Sequence, residues 1–174
     1  KPGDFRSENR HGTATMGVTV ATANNRGGRG VAFDAKFTAS RGLNDLASDT
    51  QVATSYIFAR DNNVDVHNNS WGYRVPVADP QIIADALLIA YATGRNKGDL
   101  DGDGIDDPLG MVIFFSSGNE NRETEPGLAI GTVPSVMNIG ASNDQDQRSL
   151  YSNFGSALSV LAPSNDDRIE TAGI

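Results

Sequence analysis

The sequence predicts an α/β domain with a mainly parallel central sheet. Three observations carry that expectation. Helix-like and strand-like segments alternate along the chain. The run MVIFFSSGN, from Met111, is apolar without interruption, as a central parallel strand covered on both faces would be. The segment DPQIIADALLIAYATGRNKG, from Asp79, has an Asp-Pro start, apolar residues at helical spacing and a glycine stop. The chain has 174 residues, 38% of them hydrophobic, which is enough to bury the core of one domain.

Composition narrows the function classes. Fourteen basic residues against 22 acidic ones leave a net charge of −8, and no basic patch interleaved with aromatics is present. An electrostatic grip on nucleic acid is therefore not expected, and cations are the better partners. With no cysteine, disulfides, thiolate zinc sites and a cysteine nucleophile are excluded. No apolar run is long enough for a membrane span, and the first residues do not read as a signal peptide.

The elements follow in order. His11 to about Asn25 is rich in Ala, Thr, Val and Met and nearly uncharged, which predicts a helix buried on most sides, ended by NNRGGRG. AKFTASRGL, from Ala35, reads as a strand. DTQVATSYIFARDNN, from Asp49, reads as a helix capped by Asp49, with Val52, Ile57 and Phe58 on its apolar side. VDVHNNSWG, from Val64, is a strand that turns polar at its carboxyl end. VMNIGAS and ALSVLAPS are two further short strands. Ligands of such sheets gather outside the carboxyl ends of the strands, where Ser70, Trp71, Ser117 and Asn119 fall.

Two residues have chemistry suited to catalysis. His11, at a helix start, has an imidazole able to pass a proton either way near neutral pH, although caps and surface positions use histidine as well. Asn119, directly after the apolar strand, carries an amide that can donate to an oxyanion, or it can simply shape a turn. His67 lies inside a strand and reads as structural. A third feature is GDLDGDGIDDPLG, from Gly98. Asp99, Asp101 and Asp103 at alternate positions, Gly104 at a sharp turn, the carbonyl of Ile105 and the carboxylate of Asp107 reproduce the first part of a calcium loop. Gly110 stands where the bidentate glutamate of such a loop belongs, so affinity should be modest or another segment should complete the shell.

HGTATMG, NNSWG, SSGNEN and VPSVMNIGASNDQDQRSLYSNFGSALSVLAPS occur in an order and spacing that resembles the subtilisin-like serine proteases over nearly the whole chain. The resemblance implies a three-layer α/β/α fold with a mainly parallel sheet, incomplete at both ends, and peptide-bond hydrolysis by a Ser/His/Asp triad. It implies that His11 is the general base and that Asn119 binds the tetrahedral oxyanion. It also implies that Ser70, Trp71 and Gly72 pair with an extended substrate, while Ser116, Ser117 and Gly118 form the opposite wall of the first specificity pocket. NRHGT, GRGVAFDAKF and SWG look like the kexin and furin branch, the proprotein-convertase-like proteases. Glu8, three residues before the histidine, occupies the place of an acid that reads basic residues in that branch. The acids expected after Ser-Trp-Gly are replaced by Tyr73, Arg74 and Val75, so strict dibasic cleavage is not expected. The loop after the His11 helix resembles a second calcium site of the family, for which Asn24 and Asn25 are competing ligands.

The triad aspartate and serine have no counterpart among these residues. Asp4 lacks the Asp-Thr-Gly or Asp-Asp-Gly setting, and Ser116, Ser117 and Ser152 lack the Gly-Thr-Ser setting of the nucleophile. Residues 1–174 are therefore expected to be the central portion of a protease domain, inactive alone, whose partners are a polypeptide substrate, the remaining parts of the domain and a pro-segment or chaperone. The resemblance places such a protein in a secreted, periplasmic or cell-surface setting. Two other readings stand beside it: a non-catalytic calcium- or peptide-binding module with the same fold, and a structural domain in which His11 and Asn119 are incidental.

Overall fold

The computed structural model describes residues 10–40, 47–72, 80–125 and 133–164. The described residues 10–40 belong to one compact unit and the rest to a second.

In the first unit, helix α1 spans Arg10–Val20. It is shorter than expected, and its described residues from His11 onward are half-buried or exposed, with Val18 56% exposed. A helix is buried only by what packs on it. The few dozen described residues of this unit contain no second helix or strand to do so. Thr15 and Thr19 donate their hydroxyls back to the carbonyls of His11 and Thr15, at 3.0 and 2.9 Å. The chain then folds back, with Gly30, Val31 and Ala32 donating to Ala21, Val18 and Thr19. The strand expected from Ala35 is also corrected: residues 35–40 form no ladder. Apolar content does not make a strand without a partner to supply its hydrogen bonds.

Among its described residues, the second unit has a four-stranded, all-parallel sheet in the order β1-β2-β3-β4, comprising Val66–Asn69, Val112–Ser116, Met137–Ser142 and Val160–Pro163. Helices α2, Asp49–Asp61, and α3, Gln81–Thr93, complete it. Ser48, not Asp49, caps α2: its hydroxyl accepts from the Gln51 N–H at 3.3 Å while the Gln51 side chain accepts from the Ser48 N–H at 2.9 Å. Asp49 falls instead in the first turn, where its charge suits the helix dipole. The buried side of α2 is Val52, Ala53, Tyr56 and Ala59, whereas Phe58 is 49% exposed, another departure from the expected face. Tyr56 takes over because its ring is wholly buried and its hydroxyl finds an acceptor in Asn69.

Helix α3 behaves as expected. Pro80 opens it, Gly94 closes it, and Ile83, Ala86, Leu87 and Ala90 form one buried stripe at helical spacing. A Cβ at position 94 would lie 2.6 Å from the Ala90 carbonyl and 2.8 Å from the Met111 Cβ, so glycine lets the helix end press onto the strand. The core joins these stripes to Met111, Ile113 and Phe115. Because pairing in a parallel sheet keeps partners on one face, His67, Asn69, Ile113, Phe115 and Asn138 share the face that meets the helices. Val112 and Phe114, on the other face, are half-buried, so β2 is covered less evenly than its unbroken apolar run suggested.

Candidate functional site

All four strands run the same way, so their carboxyl ends gather at one edge. Ser70–Gly72 leave β1 there, Ser117–Asn119 leave β2, and the 143–159 connection leaves β3. Between the ends of β2 and β3 lies a pocket of about 120 Å³. Ser116, Ser117, Gly118 and Asn119 form one wall, and Ile139, Gly140, Ala141, Tyr151 and Ser152 form the rest. Among the described residues, the lining contains no carboxylate.

The residues expected to form the two walls are held by different means. Ser70 accepts a hydrogen bond from the Asn68 amide at 2.9 Å. Trp71 packs edge-on to Phe115, ring centroids 5.6 Å apart, and its Nε1 donates to Asn69 Oδ1 at 3.2 Å. Gly72 is exposed. On the other wall, the Ser117 N–H donates to the Ile139 carbonyl at 2.8 Å, which extends the sheet one residue past β2. Gly118 then turns with φ of +99°. Asn119 is exposed, and its main-chain N–H donates to Glu120 Oε2 at 3.0 Å.

Asn69 and Asn153 were not singled out from sequence, yet each organises one wall. Asn69, 3% exposed, accepts at Oδ1 from Tyr56 and Trp71, and its Nδ2 donates to the Phe114 carbonyl and meets His67 Nδ1, both at 3.1 Å. Nδ1 of His67 is thus the acceptor, which assigns the ring proton to Nε2. Burial holds the His67 imidazole below its ordinary pKa, in keeping with a neutral structural ring. Asn153, 2% exposed, is bonded throughout to the segment 117–122. Neither stands out in the sequence, since Asn69 is flanked by Asn68 and Ser70 and Asn153 follows Ser152.

His11 is exposed and lies in the first unit, so its geometry is described within that unit alone. In the same unit Asn24 Oδ1 accepts from the Arg26 N–H at 2.8 Å, an Asx turn, and Asn25 is exposed. Glu8 lies outside the described residues.

In the acidic loop, carboxylate oxygens of Asp99, Asp101 and Asp107 lie within 4.8 Å of one another. Asp103 is not in that group: its carboxylate accepts from the Ile105 N–H at 2.8 Å. Asp99 accepts from Gly104 at 2.8 Å and from Gly102 at 2.6 Å, and the bonds from these N–H groups hold its carboxyl below the ordinary range. Both glycines have φ near +85°. Such a set of hard oxygens with main-chain donors fixing their directions fits a calcium ion: Asp99, Asp101 and Asp107 are the candidate ligands.

Comparison with known proteins gives this geometry a family. Residues 1–173 match the subtilase family, peptidase S8. Proteins named calcium-dependent protease from Trichormus variabilis and from a Nostoc species are each 32% identical to the chain over 97% of its length. A PC3-like endoprotease of Hydra vulgaris is 29% identical over 86% of it. The chain spans only a quarter of the length of the two calcium-dependent proteases, 25% of each. Among solved structures, a protease of Pseudoalteromonas arctica superposes with a TM-score of 0.71 at 25% identity, covering 91% of this chain and 45% of that one. A cold-adapted subtilisin-like serine proteinase superposes at 0.58 over 77% of this chain and 43% of its own, and at 22% identity it speaks for the fold alone. The parallel α/β sheet, the loops at its carboxyl edge and the match across the chain establish that this protein belongs to the subtilase family.

Proposed function

We propose that this chain is the central portion of a serine endopeptidase that cleaves polypeptides by a Ser/His/Asp mechanism. The observation that supports the reading most is the pocket of about 120 Å³ beneath Ser116–Asn119, with Asn119 among its lining residues. In this reading His11 takes the proton from the serine hydroxyl and returns it to the leaving amine, and Asn119 donates its amide to the oxyanion. Ser70–Gly72 and Ser116–Gly118 hold an extended peptide from either side. The aspartate and serine come from polypeptide outside residues 1–174, so the chain alone hydrolyses nothing. The kexin and furin branch is supported by the Ser-Trp-Gly motif and by the PC3-like relatives, with Glu8 favouring a basic residue near the scissile bond. The site of action is outside the cytoplasm.

The test is hydrolysis of a fluorogenic peptide by the full-length protein. His11→Ala should abolish turnover, and Asn119→Ala should lower kcat by about 10²–10³-fold, the size known for this donor in subtilisin itself, a member of the same family, and not a figure derived from this structure. A purified full-length protein that cleaves no peptide, yet binds peptide or calcium, would instead be the non-catalytic module.

Calcium is the proposed cofactor, supported by the Asp99, Asp101 and Asp107 cluster and by the calcium-dependent relatives. When bound there it would neutralise mutually repelling carboxylates and stiffen the loop between α3 and β2. Calorimetric titration should detect binding at or below millimolar calcium, and Asp99→Asn should weaken it at least about tenfold. No heat at millimolar calcium would refute the site. The loop at Asn24 and Asn25 is the second proposed site.

A further inference from the structure

We infer that Asn153 is the positioning residue for Asn119, holding the loop after β2 so that the amide of Asn119 meets the oxyanion. The inference rests on the protease reading above, in which Asn119 is the oxyanion donor.

Residues 117–122 need such a device. Past Ser117 the segment has left the sheet, with main-chain bonds among the described residues only from Asn121 N–H to the Tyr151 carbonyl, at 2.9 Å, and from Phe154 N–H to the Arg122 carbonyl, at 3.0 Å, besides those that involve Asn153, and Gly118 and Asn121 both turn through positive φ, at +99° and +49°. An exposed loop of this kind is mobile unless side chains tie it down. A donor that must meet a developing charge gains its effect by being fixed beforehand, and a displacement near 1 Å costs about 10²-fold in rate.

Asn153 supplies the fixing. Its Oδ1 accepts from the N–H groups of Glu120 and Arg122, at 3.0 and 3.1 Å, and its Nδ2 donates to the Ser117 carbonyl at 2.8 Å and to Glu120 Oε2 at 3.0 Å. Its own N–H donates to the Gly118 carbonyl at 3.1 Å. These partners lie on both sides of Asn119, and they use the full capacity of a side-chain amide: two bonds accepted and two donated. Glu120 Oε2, held by Asn153, in turn accepts the main-chain N–H of Asn119. The fit is close: a Cβ at position 118 would lie 2.5 Å from Asn153 Nδ2 and 2.6 Å from Glu120 Oε2, so Gly118 leaves room for this bond as well as for its turn. Arg148 locks the far end, donating to Asn121 Oδ1 at 3.0 Å and to the Ser152 carbonyl while its guanidinium lies over Phe154. No hydroxyl or carboxylate could replace Asn153, since neither offers two donors and two acceptors at once.

Two measurements test this. In amide hydrogen exchange on the full-length protein, Asn153→Ala should speed Glu120 and Arg122 by about tenfold or more while β1 and α3 stay as they were. Asn153→Asp sets a carboxylate oxygen against both Glu120 and the Ser117 carbonyl and should also loosen the loop. Unchanged exchange in Asn153→Ala, or equal acceleration throughout the sheet, would overturn the anchoring. In peptide hydrolysis by the full-length protein, Asn153→Ala should lower kcat by about 10- to 100-fold with KM held within about twofold. With Asn119 already alanine, the same change should lower kcat by less than about twofold, because the oxyanion amide that it positions is already gone. Equal losses in both backgrounds make Asn153 merely structural and overturn the assignment. An Asn119→Ala variant as active as the parent strikes at the oxyanion reading instead, and the exchange result then decides the anchoring by itself.

Discussion

Replacing Asn69 by leucine should cost about 4 kcal/mol of folding stability. The side chain is buried, and four hydrogen bonds depend on it: from Tyr56 Oη at 3.0 Å, from Trp71 Nε1 at 3.2 Å, to the Phe114 carbonyl at 3.1 Å and with His67 Nδ1 at 3.1 Å. At about 1 kcal/mol net for each, the total is about 4 kcal/mol, and leucine, with the same branched shape, leaves no cavity. That is a large share of the roughly 5–15 kcal/mol that holds a domain together. Urea unfolding followed by far-UV circular dichroism and by the emission of Trp71, the sole tryptophan, measures it. Tyr56→Phe should cost about 1 kcal/mol in the parent, and about 1 kcal/mol less once Asn69 is leucine, because the shared bond is already gone. A cost below about 1 kcal/mol for Asn69→Leu, or strict additivity with Tyr56→Phe, would refute the view that this amide joins helix, strand and cleft wall.

Two further outcomes are expected. Ser48→Ala should destabilise the chain by about 1 kcal/mol through loss of the capping box, whereas Asp49→Ala should cost no more than about half of that; the opposite order in urea unfolding would return the cap to Asp49. His67 gives the stability a pH dependence: because burial depresses its pKa below the ordinary 6.5, the unfolded chain takes up the proton first, so its contribution is whole above pH 6.5 and declines as pH falls below it. His67→Phe should flatten that decline in the urea midpoint, while the loss tied to the depressed carboxyls of Asp65 and Asp99 begins only near and below their ordinary 3.8 and should persist.

Much of the second unit was legible because its signals are local. Helix α3 carries its own start, stripe and stop, and β2 to β4 announce themselves as short apolar runs broken by polar residues. The errors came where local signals compete. Ser48 and Asp49 are both good caps, and only the reciprocal bond with Gln51 decides between them. Residues 35–40 are apolar enough for a strand, but a ladder needs a partner that the pattern itself does not specify. The small uncharged residues of α1 suggest a buried helix, although composition says only that burial is tolerated, not what provides it.

The site divides in the same way. Ser70–Gly72 and Ser116–Asn119 could be found as words because each is a continuous stretch at the end of a strand. The two asparagines behind them could not, since their partners lie far along the chain: Phe114 is 45 residues from Asn69, and Ser117 is 36 residues from Asn153. Both do work that apolar packing cannot. A leucine in either place would fill space, but dispersion has no direction, and a cleft wall that leaves the sheet has N–H and C=O groups that must be aimed. An amide with two donors and two acceptors, buried where water cannot compete, fixes those directions and holds the irregular segment nearly as firmly as the ladder it has left. The sheet therefore sets where the two walls begin, and Asn69 and Asn153 set where they point.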